Sequence, residues 1–547
     1  MSQLQQLFVD RVRQGLLRKS ITDASRWASK YRVMSHPYPG IWTFDHHPWL
    51  KEMHDSRAEL NVGQKSAQVG FTECVLNIAF YFIDVKKMDV LYVLPNQRPD
   101  AADFSSGRFD KALELSEHLR NMFSDVKNVG HKRAGYANLY IRGSNSRAQL
   151  KSIPVSVVII DELDEMDQEN IPLALQRNTG QLERFAWQIS TPTIPEFGIN
   201  FHFNTSTQDH FTFPCPSCGQ FIELSFPDNI VITAETEDDK SIHDTHLICN
   251  KCKAKLPHED KPKFLNKGKW VSRFADRVVR GFHINQLYSM NLHPSYIAAN
   301  FLKSKKDVHA EQEFHNSTIG VPHVVAGAKI TDEQLDSCVA TYEMTDFKRS
   351  GLQTMGVDVG HNVLHVVTNE WFVEGRAGHD INSYSKARNL FHNEVRDFEE
   401  LDGLMRSFNV RFCVVDAQPD RRKAVEFANR FHGRVRLCRY TNGVVGRTLS
   451  KIDGQELYVN VDRTSWLDMS LSRFKQDTIQ IPKNTKRDFR SHMKAIIRIP
   501  SKDKQGNPIA KYETPGSGQD HYAHALTYAE IALPLALGVG VVKTISE

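Results

Sequence analysis

Two adjacent carboxylates, Asp161 and Glu162, stand near the end of residues 154–164, PVSVVIIDELD. An Asp and a Glu side by side can divide a hydrolysis between them. One holds a divalent cation and the other polarises the attacking water. The stretch before them supplies the positioning. Val155, Val157, Val158, Ile159 and Ile160 form a β-branched run with no polar residue after Ser156, the pattern of a strand buried on both faces of a parallel sheet. Open α/β sheets take their ligands at the C-terminal edge of such strands. A buried strand followed by an acidic helix cap is the plainer reading of the same residues, and both stand at this point.

A phosphate-binding loop would complete the first reading, and residues 63–73, GQKSAQVGFTE, partly supply one. In the pattern GxxxxGK[ST], Gly70 and Thr72 stand where the second glycine and the hydroxyl belong, but Phe71 replaces the lysine. Lys65 lies at the front of the loop instead and could bring the missing charge from the other side. A short strand over 58–62 is expected before the loop and a helix to about residue 84 after it. Backbone amides along Ser66, Ala67, Gln68, Val69, Gly70 and Phe71 would then cradle phosphates, with Thr72 on magnesium. Trp49, just ahead of that strand, could stack on an adenine base or sit in the core. Strands are also expected over 89–94, 136–142 and 185–190. The last ends in Ser190-Thr191-Pro192-Thr193, a hydroxyl pair placed to sense hydrolysis or to cap a helix. Arg98, Arg108, Arg147 and Lys151 lie between these elements. One of them could act as an arginine finger on a neighbouring subunit, while most such charges are solvated.

The eight cysteines fall into two groups. Cys74, Cys338, Cys413 and Cys438 are scattered, as reduced cysteines are. Cys215 and Cys218, then Cys249 and Cys252, form two CxxC pairs. Two such knuckles suit tetrahedral zinc, and a four-thiolate site with no open position is structural. A further chemistry comes from three aspartates. Asp358 ends a strand over 352–360, Asp416 ends another over 411–418, and Asp520 opens a helix after a glycine-rich loop. Three carboxylates meeting from two strand ends and a helix start suit a two-metal phosphodiester hydrolase of the RNase H type, with magnesium or manganese. Three separate solvated or capping carboxylates is the alternative. Residues 483–498, with Lys483, Lys486, Arg487, Arg490, Lys494 and Arg498, offer a phosphate-backbone track beside such a site.

The chain around these residues has 547 of them, enough for about three domains. It is 40% hydrophobic and 24% charged, as soluble globular proteins are, with a formal net charge of +4. Bulk charge therefore does not mark a nucleic-acid binder, and any such surface must be local. No apolar run reaches the roughly 18 residues of a membrane span, and the N-terminus is amphipathic and charged rather than a secretory signal. Residues 1–35 read as helical, with Leu4, Leu7, Phe8, Val12 and Leu16 at helical spacing. Residues 320–329, GVPHVVAGAK, read as a break between two halves.

A deviant phosphate loop with an early lysine, a strand ending in Asp-Glu, the STPT segment, paired CxxC units and a C-terminal aspartate triad occur here in that order. This combination resembles the large subunit of tailed-phage terminases, in particular the lambda-like type. ASRWASKYRVMSHPYPGIWTFDHHPWLKEM looks like that family's entry segment, KSAQVGFTE resembles its variant loop, and the likeness runs over roughly residues 25–530. The resemblance implies that Lys65 is the loop lysine, Asp161 the magnesium-side acid and Glu162 the catalytic glutamate. It places Ser190 and Thr191 on the coupling motif and Trp49 on the base. Asp358, Asp416 and Asp520 would hold the nuclease metals.

The expected architecture is α/β throughout. An entry segment over 1–50 precedes a P-loop ATPase of the ASCE type over 51–330, with a mostly parallel sheet and a zinc insert at 211–260. A linker at 331–350, an RNase H-like nuclease at 351–535 and a tail at 536–547 follow. The resemblance implies a viral packaging motor in the host cytoplasm that uses ATP, magnesium and zinc. Its partners would be double-stranded DNA, a small terminase subunit and a portal on the procapsid, with the chain in a homo-oligomeric ring and no membrane contact. A P-loop helicase or repair ATPase fused to a nuclease, and a scaffold with a degenerate loop, are the alternatives. No set of helicase motifs follows STPT.

Overall fold

The computed structural model describes residues 21–547 apart from 124–125, 152, 345–350, 361, 374–380, 442–446, 453–454, 503–507, 517, 539–542 and 547. Leu4, Leu7, Phe8, Val12 and Leu16, expected on a first helix, lie outside the described residues. The chain divides into two units, Met1–Val325 and Ala326–Glu547.

The first unit is organised on an eleven-stranded sheet. After helix α1 (Ala24–Tyr31), its central members are β1 (Leu60–Lys65), β2 (Val90–Leu94), β3 (Ala137–Gly143), β4 (Val157–Asp161) and β5 (Phe185–Ser190). Helix α2 (Phe71–Tyr81) follows β1. All five residues of β2 and of β4 are buried, which is why both read as unbroken apolar runs. β4 pairs in parallel with β2 and β5, and β5 pairs in parallel with β1. Strand β5 therefore lies between the loop strand β1 and the carboxylate strand β4, the order of an ASCE-type P-loop ATPase sheet.

Strand β1 differs from expectation. It runs to Lys65, not to residue 62. Gly63, Gln64 and Lys65 carry no apolar signal, yet Gln64 is buried because it bonds Asn200 Nδ2 (2.9 Å) and the Gly320 carbonyl (2.9 Å). Such satisfied polar groups are tolerated in a core.

Beyond β5, β6 (Asp209–Pro214) turns through Cys215–Cys218 into β7 (Phe221–Ile222). A second hairpin, β8 (His246–Ile248) and β9 (Lys255–Leu256), turns through Cys249–Cys252. β10 (Arg280–Ile284) then returns to the main sheet and pairs in parallel with β1.

The second unit begins with helix α3 (Asp332–Ser337) inside the segment expected as a linker. A capping box between Thr331 and Gln334 starts it, and buried Leu335 anchors it. Its nine-stranded sheet holds β11 (Leu352–Val359), β12 (Leu364–Val373), β13 (Ser385–Val395), β14 (Phe412–Asp416) and β15 (Val435–Tyr440) in the order β13-β12-β11-β14-β15. The first three pair antiparallel, and β11-β14 and β14-β15 pair parallel. This is the RNase H-like arrangement. Helices α4 (Arg463–Lys475), α5 (Arg487–Ala495) and α6 (His521–Ala536) complete it. α6 lies directly on β11, and Gly356 makes the approach possible. A Cβ there would strike the Ala525 carbonyl and the Ala529 amide. The stretch after α6 contributes an edge strand, Lys543–Ser546, in place of a free tail.

Candidate active sites

At the edge of the first sheet, the ends of β1 and β4 bring Lys65, Asp161 and Glu162 together. Lys65 Nζ lies 3.0 Å from Glu162 Oε1. Burial works against the Lys65 charge, but Glu162 and Asp161 outweigh it and hold the ammonium above its usual range. Asp161 is 2% exposed. Its Oδ2 accepts from the Tyr92 hydroxyl at 2.7 Å, while Oδ1 has no hydrogen-bond partner. Burial, with the charge of Glu162 added, pushes this carboxyl up to about 6. The Thr72 hydroxyl stands beside it. An orphaned carboxylate oxygen next to a hydroxyl at a helix start is a donor set that fits magnesium carried by a nucleotide. Glu162 has a left-handed backbone (φ 61°), so the chain breaks from the strand there.

Two of the loop amides are already engaged. Ser66 N donates to the Ile284 carbonyl (3.0 Å) and Ala67 N to the Ser317 carbonyl (2.7 Å). Gln286 Nε2 also holds the Ala67 carbonyl (3.1 Å). The front of the loop is thus clamped by β10 and the segment after it, so a phosphate cradle must come from the first turn of α2, whose amides have no intrahelical acceptors. Gly70 sets that turn at φ +86°, where an added Cβ would also lie 2.8 Å from Leu50 Cδ1. Phe71 is 1% exposed and packs in the core. The position that holds lysine in the usual pattern is here a buried anchor, and the nearest lysine of the loop, Lys65, ends β1.

Cavities of about 620 and 520 Å³ adjoin this edge. Thr72, Glu73, Arg108 and Glu162 line both. Glu73 is held between Arg32 Nη2 (2.6 Å) and Arg108 Nη1 (2.8 Å). Of the four basic candidates, the structure brings Arg108 to the cavities of its own chain. Arg147 pairs with Glu169 (2.9 Å), and Arg98 and Lys151 are exposed. Trp49 is corrected. It is 1% exposed, donates to the Val69 carbonyl (3.0 Å) and packs against Phe211 and Tyr288, so it presents no face to a base. The aromatic wall of the smaller cavity is Tyr38, Trp42, His46 and His47, with Tyr38 and His46 stacked at 3.6 Å.

Ser190 and Thr191 end β5 between the two strands. Thr191 lines the smaller cavity. Buried Ser190 Oγ accepts from the Asp164 amide (3.1 Å). Asp164 draws the segment after β5 against β4. Its Oδ2 accepts from Thr193 N (2.8 Å) and Oγ1 (2.9 Å), and its Oδ1 from Ile199 N (2.7 Å). Burial still pushes the carboxyl up to about 7. Asn316 Nδ2 (2.8 Å) and Gln312 Nε2 (3.0 Å) donate to the Thr193 carbonyl. Nothing in the spacing of the sequence marks Asp164, Tyr92 or Glu73, because each acts through a partner distant along the chain.

The four paired cysteines converge with ligand atoms within 4.8 Å of one another. Each hairpin turn is built alike. Cys215 N bonds the Gln220 carbonyl and Gly219 N returns to Cys215, as Cys249 N bonds Ala254 and Lys253 N returns to Cys249 (all 2.9 Å). Four thiols in matched turns fit one tetrahedral zinc.

In the second unit the aspartates do not close into one cluster. The close group is Asp358, His365 and His521, again within 4.8 Å. Asp358 ends the buried face of β11, and its Oδ2 lies 2.8 Å from His521 Nδ1. That bond raises the His521 imidazole above its usual range although burial opposes it. Asp358 and His365 are direct cross-strand partners of the β11–β12 hairpin. Burial pushes Asp416 up to about 6, and the nearby charge of Asp358 adds to it. Asp520 does not join them. It accepts from Thr514 Oγ1 (2.7 Å) and lies 3.4 Å from His524 Nε2. Against the opposing effect of burial, His524, Thr514 and Arg463 hold its carboxyl well below the ordinary range. The group within 4.8 Å at the β11 end therefore combines one carboxylate with two imidazoles. Four of the six residues of the expected basic track pair with carboxylates of the same unit. Arg490 and Lys494 pair with Asp332 (3.3 and 2.8 Å), Arg498 with Asp468 (2.7 Å), and Lys483 with Glu343 (2.9 Å).

Two family models match this chain, the second of them reaching Asp358 and His365 but ending before Asp416, Asp520 and His521. The ATPase domain of the phage terminase large subunit gpA matches residues 36–270, and the endonuclease domain of the same subunit matches residues 279–407. The chain belongs to the phage terminase large subunits. Among curated relatives, the terminase large subunit of Enterobacteria phage P21 is 22% identical over 342 residues, 56% of this chain and 53% of that protein. The terminase chain thus spans about half the length of the curated relative it matches. Among solved structures, the large terminase ATPase domain of Thermus phage P74-26 is 12% identical and covers 50% of this chain and 91% of its own, with a TM-score of 0.30. The magnesium-bound large terminase nuclease of the thermophilic phage G20c is 12% identical and covers 38% and 98%, with a TM-score of 0.24. Scores this low support no residue correspondence. The endonuclease model begins just before β10, so the terminase's first sheet includes a strand from the second matched region. No helix among the described residues is long and apolar enough to cross a membrane.

Proposed function

We propose that this terminase chain is a genome-packaging motor. Its first unit hydrolyses ATP to drive double-stranded DNA into a procapsid, and its second cuts concatemeric DNA into genome-length pieces. The observation that carries this reading is the convergence of Lys65, Asp161, Glu162 and Thr72 at the ends of β1 and β4, with the Ser190 strand between them.

In this reading Lys65 binds the phosphates from the strand side while the first-turn amides of α2 bind them from the helix side. Asp161 Oδ1 and the Thr72 hydroxyl would hold magnesium, which neutralises developing charge when bound. Glu162 takes the proton of the attacking water at Oε1, the atom now paired with Lys65. Arg108, poised on Glu73 beside the cavity, adds positive charge from the same chain. Thr191 faces the reacting phosphate, and the Asp164 contacts carry its movement into the segment after β5. Zinc on Cys215, Cys218, Cys249 and Cys252 staples the insert. At the second site, Asp358 and Asp416 serve the nuclease metal, and Asp520 positions the start of α6. The motor would work as a ring on a portal, with a small terminase subunit, in the host cytoplasm.

The deciding experiment follows ATP turnover with and without double-stranded DNA, with plasmid cleavage read in the same tubes. DNA-stimulated turnover together with divalent-dependent cleavage is expected. Turnover indifferent to DNA with no cleavage would overturn the reading.

A further inference from the structure

His365 has no part in the sequence expectation, yet it is buried directly beside Asp358 at the end of β11. It is 3% exposed and sits opposite Asp358 across the β11–β12 hairpin. Neither ring nitrogen makes a well-formed hydrogen bond, although Glu394 Oε1 lies 3.2 Å from Nε2. Its ring stacks on His521 with centroids 4.4 Å apart, and the edge of Tyr522 closes another side at 4.9 Å. One nitrogen or oxygen from each of Asp358, His365 and His521 falls within 4.8 Å of the others. Leaving a buried imidazole unsatisfied forfeits its hydration without replacement, so such a group calls for a partner.

We propose that His365 is a direct ligand of the nuclease cation, together with Asp358 and His521, and that this nitrogen-bearing set shifts the site from magnesium toward borderline transition ions. The inference rests on the nuclease reading above and deepens it. Glu394 stands where an outer carboxylate orients a metal-bound histidine, which leaves Nδ1 for the ion. Magnesium favours oxygen ligands and dehydrates reluctantly, whereas imidazole suits first-row transition ions. A carboxylate with two imidazoles therefore has a different preference from three carboxylates. Register makes the arrangement possible, because hairpin pairing sets His365 beside Asp358 and α6 brings His521 to them.

The test uses the full chain, prepared without added divalent ions, with manganese as the probe. Binding is measured by the loss of free-manganese resonance, and the ligands are read from the electron spin-echo modulation of directly bound nitrogen. Wild type should show nitrogen from two imidazoles and bind manganese at least about tenfold more tightly than magnesium. His365→Ala and His365→Gln should each lose one nitrogen contribution and about tenfold or more in manganese affinity. The Gln variant keeps the bulk and decides the matter if the Ala variant melts early. Wild-type affinity with two nitrogens in His365→Gln would make His365 a packing residue and overturn the proposal while leaving the nuclease reading intact. Equal manganese binding by wild type and Asp358→Asn would remove the cation from this site, and the nuclease reading would fall with it.

Discussion

Lys65 Nζ and Glu162 Oε1 lie 3.0 Å apart at the ends of two strands separated by a third. In the proposed hydrolysis both groups serve elsewhere, the ammonium on phosphate and the carboxylate on water. On that reading the pair is a latch that nucleotide opens, with the arriving phosphates replacing Glu162 as counter-charge to a Lys65 that Asp161 also faces.

Lys65→Ala should abolish ATP hydrolysis without unfolding the chain. Phe71 leaves Lys65 as the loop's one lysine, and losing a phosphate clamp costs on the order of a hundredfold or more in rate. Turnover close to wild type in this variant would take Lys65 out of the mechanism.

Glu162→Gln should separate binding from chemistry. Asp161, Thr72 and the α2 amides remain, so ATP should bind, and more tightly than in wild type because the latch to Lys65 is weakened. Hydrolysis should nearly stop, since the amide cannot take the proton. Equilibrium binding of a fluorescent ATP analogue checks this, and loss of binding would assign Glu162 to the fold instead.

Purified chain should carry one zinc. The four thiols lie within 4.8 Å of one another, and structural zinc couples to folding by roughly 10 kcal/mol in peptide models. Metal analysis should give one equivalent, and Cys249→Ser should lose it along with thermal stability. A zinc-free native protein with four titratable thiols would refute the site.

Asp164 gives a pH signature. Burial raises its carboxyl from the unfolded value near 4 to about 7. Between those values the folded chain binds a proton that the unfolded chain does not, so this group's contribution to stability falls as pH rises through the window. Asp164→Asn has no such proton. The melting temperature of wild type should decline relative to the Asn variant from about pH 5 to pH 7. Parallel curves would mean that Thr193 and Ile199 keep the carboxylate ionised throughout.

The sequence showed the strands that are uniform. β2, β4 and β5 could be read because each is buried on both faces, and the Asp-Glu end of β4 marked the sheet edge. The strand that carries Asp358 was equally plain. What stayed hidden was set by tertiary contact. Gln64 and Lys65 extend β1 because Asn200 and Glu162 satisfy them, and nothing local announces that. Trp49 has the composition of a stacking residue, but the Val69 carbonyl and the Trp270 indole lock it inside. At the second site the spacing of the aspartates was visible, whereas the direction of Asp520 depends on Thr514 and His524. His365 could have been found from the strand pairing that sets Val359 against Leu364, which puts it across from Asp358.

Asp358→Asn separates the two chemistries. Asp358 lies on a different sheet from Lys65 and Glu162, holds His521 at 2.8 Å and lends its charge to the environment of Asp416. Replacing the carboxylate with an amide removes the one anionic ligand of the Asp358–His365–His521 group, so DNA cleavage should fall by at least about a hundredfold. Cleavage by wild type should also fail in chelator and return on adding manganese or magnesium. ATP turnover should stay near wild type, because the groups that serve it stand on the first unit's own sheet. A rival idea makes the GVDVG stretch at the end of β11 a second phosphate-binding segment, in which case turnover falls and cleavage has no candidate residue. Both rates measured on this single variant decide between them, and a variant that cuts plasmid at the wild-type rate sinks the assignment.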